Sequence, residues 1–216
     1  HEPHPAMMPF ENTRVQLVDL PPISADHMEP WISSIARAAD AVLLVVDLEA
    51  GDLFEATDAV FDKLSSHKLF LGEVPEDQQA ALGSAAKRTL IAANKCDFRD
   101  ADVVIELFAE VYATQFPIIT VSAETGEGLE DLRSAIWRLL DLVRAVPKPP
   151  GKEPDYGDPI LLPRGSSVLD MARHIHGDLA EHLKRARVWN CGDHADGAWI
   201  GRDHVIADGE IFELEG

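Results

Sequence analysis

The sequence is short of cysteine, with two, Cys96 and Cys191, in 216 residues. Two thiols cannot build the disulfide framework of a small secreted fold, so a reducing, cytoplasmic setting is the expectation. No apolar run approaches the ~20 residues that a membrane-spanning helix needs, and no signal peptide is recognisable, so no membrane partner is expected. Basic residues are scarce: 19 Lys and Arg face 38 Asp and Glu, for a formal charge of −19 at pH 7. A surface of that sign argues against an all-over nucleic-acid interface, and DNA is not expected as a partner. The deficit is uneven, since residues 1–141 hold 10 basic against 25 acidic residues and residues 142–216 hold 9 against 13. The pattern G-x-x-x-x-G-K-[ST] is missing too. The nearest Gly-Lys pair, Gly151-Lys152, lacks the leading glycine and stands in a Pro-rich stretch. The backbone N–H cradle and the metal-binding hydroxyl which that pattern supplies to phosphates are therefore absent from these residues.

What is present is enough apolar content, 46% of residues, for one medium domain and a small one. The chain starts at His1 with the Pro-rich stretch "HEPHPAMMPFEN", which is expected to be irregular and reads as the middle of something longer. Strand and helix patterns then alternate to residue 141. "VQLVDL" reads as a strand, and "MEPWISSIARAAD" as a helix with Trp31, Ile35 and Ala38 on one face. "AVLLVVDL" reads as a continuously buried strand of a parallel sheet, and Glu55–Ser65 as an amphipathic helix. "KLFLGEVPEDQQAALGSAAKR" is an irregular excursion before the strand Thr89–Ala93. A helix with Asp100 or Asp102 near its N-cap, the strand "PIITVSA" and the helix "EGLEDLRSAIWRLL" complete a doubly wound α/β sheet.

Residues 142–216 read as a compact α+β unit. "DLVRAV" and "PILLP" flank the Pro-rich "VPKPPGKEPDYGDP" as the strands of a long hairpin. Ser167 with Asp170 three residues on makes a capping-box start to a helix over Val168–His176. Short strands follow at "ARVWN", "AWIG", "DHVI" and "EIFELE", the last after an Asp208-Gly209 turn.

Three strands of the first part end in polar clusters: Asp19, then Asn94-Lys95-Cys96-Asp97, then Ser122-Ala123. In open α/β sheets ligands sit beyond the carboxyl ends of the strands. A carboxylate at Asp97 can accept from both N1–H and N2–H of guanine, which adenine cannot offer, and hydrogen bonds to a charge are worth ~1.5–3 kcal/mol each. Asn94 would brace the neighbouring loop, the Lys95 stem would lie over the base, and the N–H of Ala123 would donate to the base oxygen. Asp19 would hold Mg²⁺ through water beside the phosphates.

In order and spacing, "DLPP", "NKCD" and "SAETG" resemble the third to fifth motifs of translation-factor-type GTPases, closest to the Obg-like and developmentally regulated GTP-binding group. "KPPGKEPDYGDPILLPRGSSVLDMARHIHGDLAEHLKRARVWN" through "DHVIADGEIFEL" resembles the TGS domain of those proteins, a ubiquitin-like β-grasp module. The resemblance covers about residues 12–216. It implies that 1–141 is the C-terminal part of a GTPase domain, that 142–216 is a TGS domain, and that the ligands are GTP or GDP with Mg²⁺. It further implies hydrolysis of GTP in the whole protein and work linked to the ribosome or RNA. Arg173, Lys184, Arg185 and Arg187 would be the RNA contact, unless they form a plain solvated helix face.

The pattern has departures. Pro22 stands where the group has glycine, and it has no N–H to offer a γ-phosphate. Ile23 stands where many GTPases orient water with Gln. A non-hydrolysing scaffold working through the TGS domain is the alternative these two residues leave open. Without the phosphate loop the chain is expected to bind GTP weakly. Its Val15–Leu20 strand is expected to be detached from Ala41–Asp47 or to pair with it in an arrangement foreign to the family. Asp47 reads as an ordinary strand-end carboxylate and Cys96 as a small buried filler. Cys191, His194 and His204 invite a zinc reading, but the sequence offers no set of four ligands at metal spacing.

Overall fold

The computed structural model describes residues 2–72 and 84–215. The irregular excursion expected before the strand Thr89–Ala93 falls largely on residues 73–83 and there lies outside them. The chain divides into two compact units, His1–Met8 with Gln16–Leu140, and Pro9–Val15 with Asp141–Gly216.

The first unit is a parallel sheet with helices. Its strands β3 (Ala41–Asp47), β4 (Leu69–Leu71), β5 (Ala85–Asn94) and β6 (Ile118–Val121) alternate with α1 (Ile32–Ala38), α2 (Leu53–Ser66), α3 (Ala101–Tyr112) and α4 (Leu129–Leu140). β5 pairs in parallel with all three other strands. Its apolar run is buried on both faces, since Leu90, Ile91, Ala92 and Ala93 are each at most 1% exposed. Continuous apolarity is what a strand covered on both sides requires. Ile91 and Ala93 join Phe108, Tyr112 and Phe116 in one core cluster, with the Phe108 and Tyr112 rings 4.6 Å apart.

Three local expectations are corrected here. The buried residues of α1 are Ile32 and Ala36, four apart and so on one face, packed with Met28 from the segment before the helix, while Ala38 is exposed. β3 is only half-buried, with Val45 59% exposed, because it ends the sheet and among the described residues pairs with β5 alone. The N-terminal stretch is a strand rather than irregular: β1 (His4–Phe10) pairs with β2 (Thr13–Asp19) in a separate two-stranded sheet. Pro5 and Pro9 are tolerated in such a ribbon, where not every N–H needs a partner. Among the described residues β2 therefore does not pair with β3, one of the two arrangements the sequence led us to expect.

The second unit is a mixed sheet in the order β10-β9-β11-β7-β8. Its strands are β7 (Leu142–Pro147), β8 (Ile160–Pro163), β9 (Arg185–Trp189), β10 (Ala198–Ile200) and β11 (Glu210–Glu215). The hairpin β7–β8 is antiparallel, β11 lies parallel to β7, and β9 runs antiparallel to β11. Helices α5 (Val168–Ile175) and α6 (Gly177–His182) follow the hairpin. Val168, Met171 and Ala172 of α5 are fully buried in one cluster with Val143, Val188 and Phe212 from three strands. This is the β-grasp arrangement. The capping box forms as expected: Asp170 N–H donates to Ser167 Oγ, and Ser167 N–H donates to Asp170 Oδ2 at 2.9 Å. "DHVI" is no strand, because its backbone is engaged at the start of α5 instead. Val168 N–H donates to His204 O at 3.0 Å and Ile206 N–H to Ser166 O at 2.9 Å.

A polar knot ties this unit's ends together. Arg144 in β7 donates from Nε and Nη2 to the two carboxylate oxygens of Asp208, at 3.0 and 2.6 Å, and its backbone N–H adds a third bond at 2.7 Å. Arg144 also donates to Glu11 and to Asn12 Oδ1 in the β1–β2 turn. The guanidinium holds the Asp208 carboxyl below its ordinary value of 3.8. A carboxylate held low adds stability that is fully present above the ordinary value and fades as pH falls through the folded one. Asp208→Asn is therefore expected to destabilise this unit by about 1–2 kcal/mol at pH 7, with partial exposure taken into account. Amide exchange in β7 and β11 should show that gap closing below about pH 4. A gap independent of pH would deny the ion pair its role.

Candidate functional site

The carboxyl ends of β3, β5 and β6 stand level because the register pairs Asp47 with Asn94, and Asn94 with Val121. The turn after β5 is pinned on both sides. Leu48 N–H donates to Asn94 O and Cys96 N–H to Val121 O, both at 3.0 Å. Lys95 between them has φ 67. That left-handed conformation costs a side-chain-bearing residue about 1–2 kcal/mol, and it tends to persist at functional turns.

Lys95 Nζ lies 2.8 Å from Asp47 Oδ2 and 3.3 Å from Glu49 Oε2. The Lys95 bond holds the Asp47 carboxyl low, and the two carboxylates hold the ammonium high. From the sequence Asp47 reads as an ordinary strand-end carboxylate and Glu49 carries no signal of its own. The usable signal was the parallel register, which sets the end of β3 beside the turn after β5.

Asn94 Oδ1 accepts the Ala123 N–H at 3.0 Å, so two of the three motifs share a hydrogen bond. Asn94 thus holds the neighbouring loop through the same N–H that the sequence offers to a base oxygen. The loop beyond is tightly built: Ser122 is fully buried, and its Oγ accepts Thr125 N–H at 3.1 Å. Gly126 N–H closes the turn onto Ser122 O at 2.9 Å. Asp97 is exposed beside the pinned turn.

Asp19 is exposed at the end of β2, and among the described residues no hydrogen bond or ion pair joins it to the Asn94–Asp97 turn. Ile23 packs against the Met28–Ile32 core cluster, so its side chain is used for packing. Cys96 packs on the core of the first unit, and burial pushes its thiol up, away from a nucleophilic thiolate.

The basic residues of the second unit do not share a helix face. Arg173 ends α5 and pairs with Asp170 at 2.9 Å, while Lys184 precedes β9. Arg185 and Arg187, two apart on β9, both stack on Trp199 of β10, at 3.8 and 4.4 Å from the ring centre, and Arg185 also pairs with Glu215 at 2.6 Å. A cavity of about 840 Å³ in this unit is lined by Lys148, Tyr156, Trp189, Asn190 and Cys191 among others, and includes none of the motif residues.

The chain resembles known proteins in both parts. The family model of the TGS domain matches residues 143–214. A GTP-binding protein of Methanocaldococcus jannaschii is 29% identical over 126 residues, which is 58% of this chain and 32% of that protein. The developmentally-regulated GTP-binding protein 2 homolog of Dictyostelium discoideum is 22% identical across 97% of this chain and 72% of its own length. The crystal structure of a GTP-binding protein from Pyrococcus horikoshii superposes with a TM-score of 0.65 at 15% identity, covering 100% of this chain and 88% of that one. The fold is that of Obg-like GTP-binding proteins. Residues 143–214 are a TGS domain, and over its C-terminal part the chain is homologous to the developmentally regulated, Obg-like GTP-binding proteins. It spans about a third of the length of the M. jannaschii relative.

Gly128 tests how the loop is built. A Cβ there would sit 2.2 Å from Thr120 O, and φ is +72, whereas Gly126, at φ +85, has open space around it. Gly128→Ala should cost about 3 kcal/mol or more and Gly126→Ala about 1 kcal/mol, as measured by denaturant unfolding of the first unit. Equal costs would mean that the close approach to Thr120 relaxes freely.

Proposed function

We propose that this chain is part of a cytoplasmic GTP-binding protein in which residues 1–141 are the C-terminal part of the GTPase domain. Guanine is read by Asn94, Lys95, Asp97, Ser122 and Ala123. The observation that carries this reading is the hydrogen bond from Ala123 N–H to Asn94 Oδ1, which binds the NKCD turn and the SAETG loop into one surface. On that surface Asp97 would accept the two N–H groups of the guanine edge. Lys95, tethered by Asp47 and Glu49, would cover the base with its stem. The base oxygen would share the Ala123 N–H with Asn94.

The base-reading residues fit guanine. The phosphate side rests on Asp19 alone, which would hold Mg²⁺ through water. When bound, Mg²⁺ would neutralise phosphate charge. GTP hydrolysis is proposed for the whole protein. Its positioning of water would fall to a residue other than Ile23, which the core occupies. That packing, with Pro22, also favours a second reading, a non-hydrolysing scaffold that works through the TGS domain.

The TGS domain would touch the ribosome or another RNA through Arg173, Lys184, Arg185 and Arg187. The Arg185–Trp199–Arg187 stack supports a flat surface able to take an unpaired base. Reversing Lys184, Arg185 and Arg187 to Glu should weaken ribosome co-sedimentation and flatten its salt dependence. Unchanged co-sedimentation would return these residues to a solvated surface.

The nucleotide reading is tested at Asp97 in the complete natural protein. Asp97→Asn replaces an acceptor with a donor, so preference should move from GTP towards XTP by at least about tenfold, read by competition titration with GTP, XTP and ATP. An unchanged preference for GTP would show that the NKCD turn does not read the base.

A further inference from the structure

One cluster of reactive side chains in the second unit has no part in the nucleotide reading. After β9 the chain turns through Asn190, at φ 56, into Cys191-Gly192-Asp193-His194. The Cys191 Sγ, a ring nitrogen of His204 and a carboxylate oxygen of Glu210 all lie within 4.8 Å of one another. His204 Nε2 and Glu210 Oε2 are 3.1 Å apart, and Ala207 N–H donates to the same Oε2 at 2.9 Å. Glu210 is a carboxylate that is only 2% exposed, at the first residue of the central strand β11. The Cys191 thiol is held above its ordinary range, first by burial and then by the Glu210 carboxylate beside it. The His194 ring stands 5.6 Å from the His204 ring, centre to centre.

These contacts place three different donor types around one point in a largely buried setting. A buried carboxylate costs several kcal/mol unless a positive partner compensates it, and the described surroundings of Glu210 supply a thiol, an imidazole and one N–H. A divalent ion bound by a thiolate, a carboxylate and neutral imidazoles would leave the site electrically neutral. Tetrahedral zinc takes sulfur at ~2.3 Å and nitrogen or oxygen at ~2.0–2.2 Å, so its ligand atoms stand about 3.3–3.7 Å apart. The 3.1 Å separation of His204 and Glu210 is a hydrogen-bond distance a few tenths of an ångström short of that spacing, and the three donor atoms, all within 4.8 Å of one another, need small side-chain rotations to surround one ion. The thiolate selects zinc over magnesium or calcium. The Ala207 N–H, bonded to Glu210, would orient that ligand from outside, as the outer contacts of metal sites do.

We propose that Cys191, His204 and Glu210 form a Zn²⁺ site in this domain, with His194, at the Cys-x-x-His spacing, swinging in as the fourth ligand. A site with four protein ligands is structural. It would clamp the loop after β9 to the segment before β11, across the edge of the 840 Å³ cavity that reaches Cys191.

The test uses the whole chain, stripped of metal and titrated with Zn²⁺ against a chromophoric chelator, and separately with Co²⁺. The expected result is one Zn²⁺ bound per chain with sub-micromolar affinity. Co²⁺ should give a near-ultraviolet thiolate charge-transfer band and the intense visible bands of tetrahedral geometry. Cys191→Ser should abolish the charge-transfer band and weaken Zn²⁺ at least tenfold, whereas Cys96→Ser should leave both unchanged. His194→Ala should keep the charge-transfer band and weaken the visible ones. The proposal is overturned by a weak, octahedral Co²⁺ spectrum without charge transfer in the unaltered protein, a result that does not depend on any variant folding. It is equally overturned if Cys191→Ser, folded by circular dichroism, binds Zn²⁺ as the parent does, which would leave the cluster a hydrogen-bonded triad only.

Discussion

The parallel sheet of the first unit depends on β5. Three strands hydrogen-bond to it in parallel, and its apolar middle is covered on both faces. A strand held this way has its register fixed by burial on either side, and a one-residue slip would turn every side chain to the opposite face. That register brings the ends of β3, β5 and β6 level. From it follow the two carboxylates beside Lys95, the bond from Cys96 N–H to Val121 O, and the contact between Asn94 and Ala123. The polar cluster thus inherits its precision from an apolar strand with no chemistry of its own.

The second unit solves the opposite problem, that of holding charge inside a small fold. Arg144 is satisfied by a bidentate contact to Asp208 and by the side chains of Glu11 and Asn12. The turn at Glu11 and Asn12 therefore groups with residues far away in sequence. Glu210 is buried more deeply, and its described partners are an imidazole and a peptide N–H, with the Cys191 thiol within 4.8 Å. The two carboxylates lie two residues apart on either side of Gly209, yet one has a guanidinium and the other has none. That asymmetry leaves the charge of Glu210 to be balanced by the His204 imidazole, 3.1 Å away, or by a bound cation.

Much of this was legible in the sequence, for physical reasons. Thr89–Ala93 was legible as a strand, but which strand is covered on both faces was not, since the longer apolar run of β3 leaves Val45 exposed while β5 is buried throughout its middle. The Ser167–Asp170 pair announced a helix start through local bonds that need no tertiary context. The strand-end positions of Asn94, Asp97 and Ser122 were readable, since they follow directly from where the apolar runs stop. What was missed depends on partners far off in sequence. β1 exists because β2 offers it an edge, and "DHVI" is not a strand because the start of α5 takes its backbone bonds. Glu210 as a companion of Cys191 and His204 was illegible, because β11 and the loop after β9 meet only in the folded sheet.

The division of labour within a nucleotide site bears on what these residues can do. Two charge-assisted bonds from Asp97 to a guanine edge are worth about 3–6 kcal/mol together. Taken alone that corresponds to dissociation constants from millimolar to tens of micromolar, before the cost of immobilising the ligand. Losing both bonds would still separate guanine from adenine by a factor of roughly 10²–10⁴. On the proposed reading, the turn after β5 would be suited to select a base and unsuited to hold a nucleotide by itself. Tight binding requires contacts to phosphate, and the charge of residues 1–141, with 25 acidic against 10 basic side chains, opposes a polyphosphate. Only a divalent cation or a dense array of N–H groups could reverse that field locally. On the proposed reading, base selectivity therefore resides in the residues described here, and affinity for nucleotide is set wherever the phosphates and their cation are held.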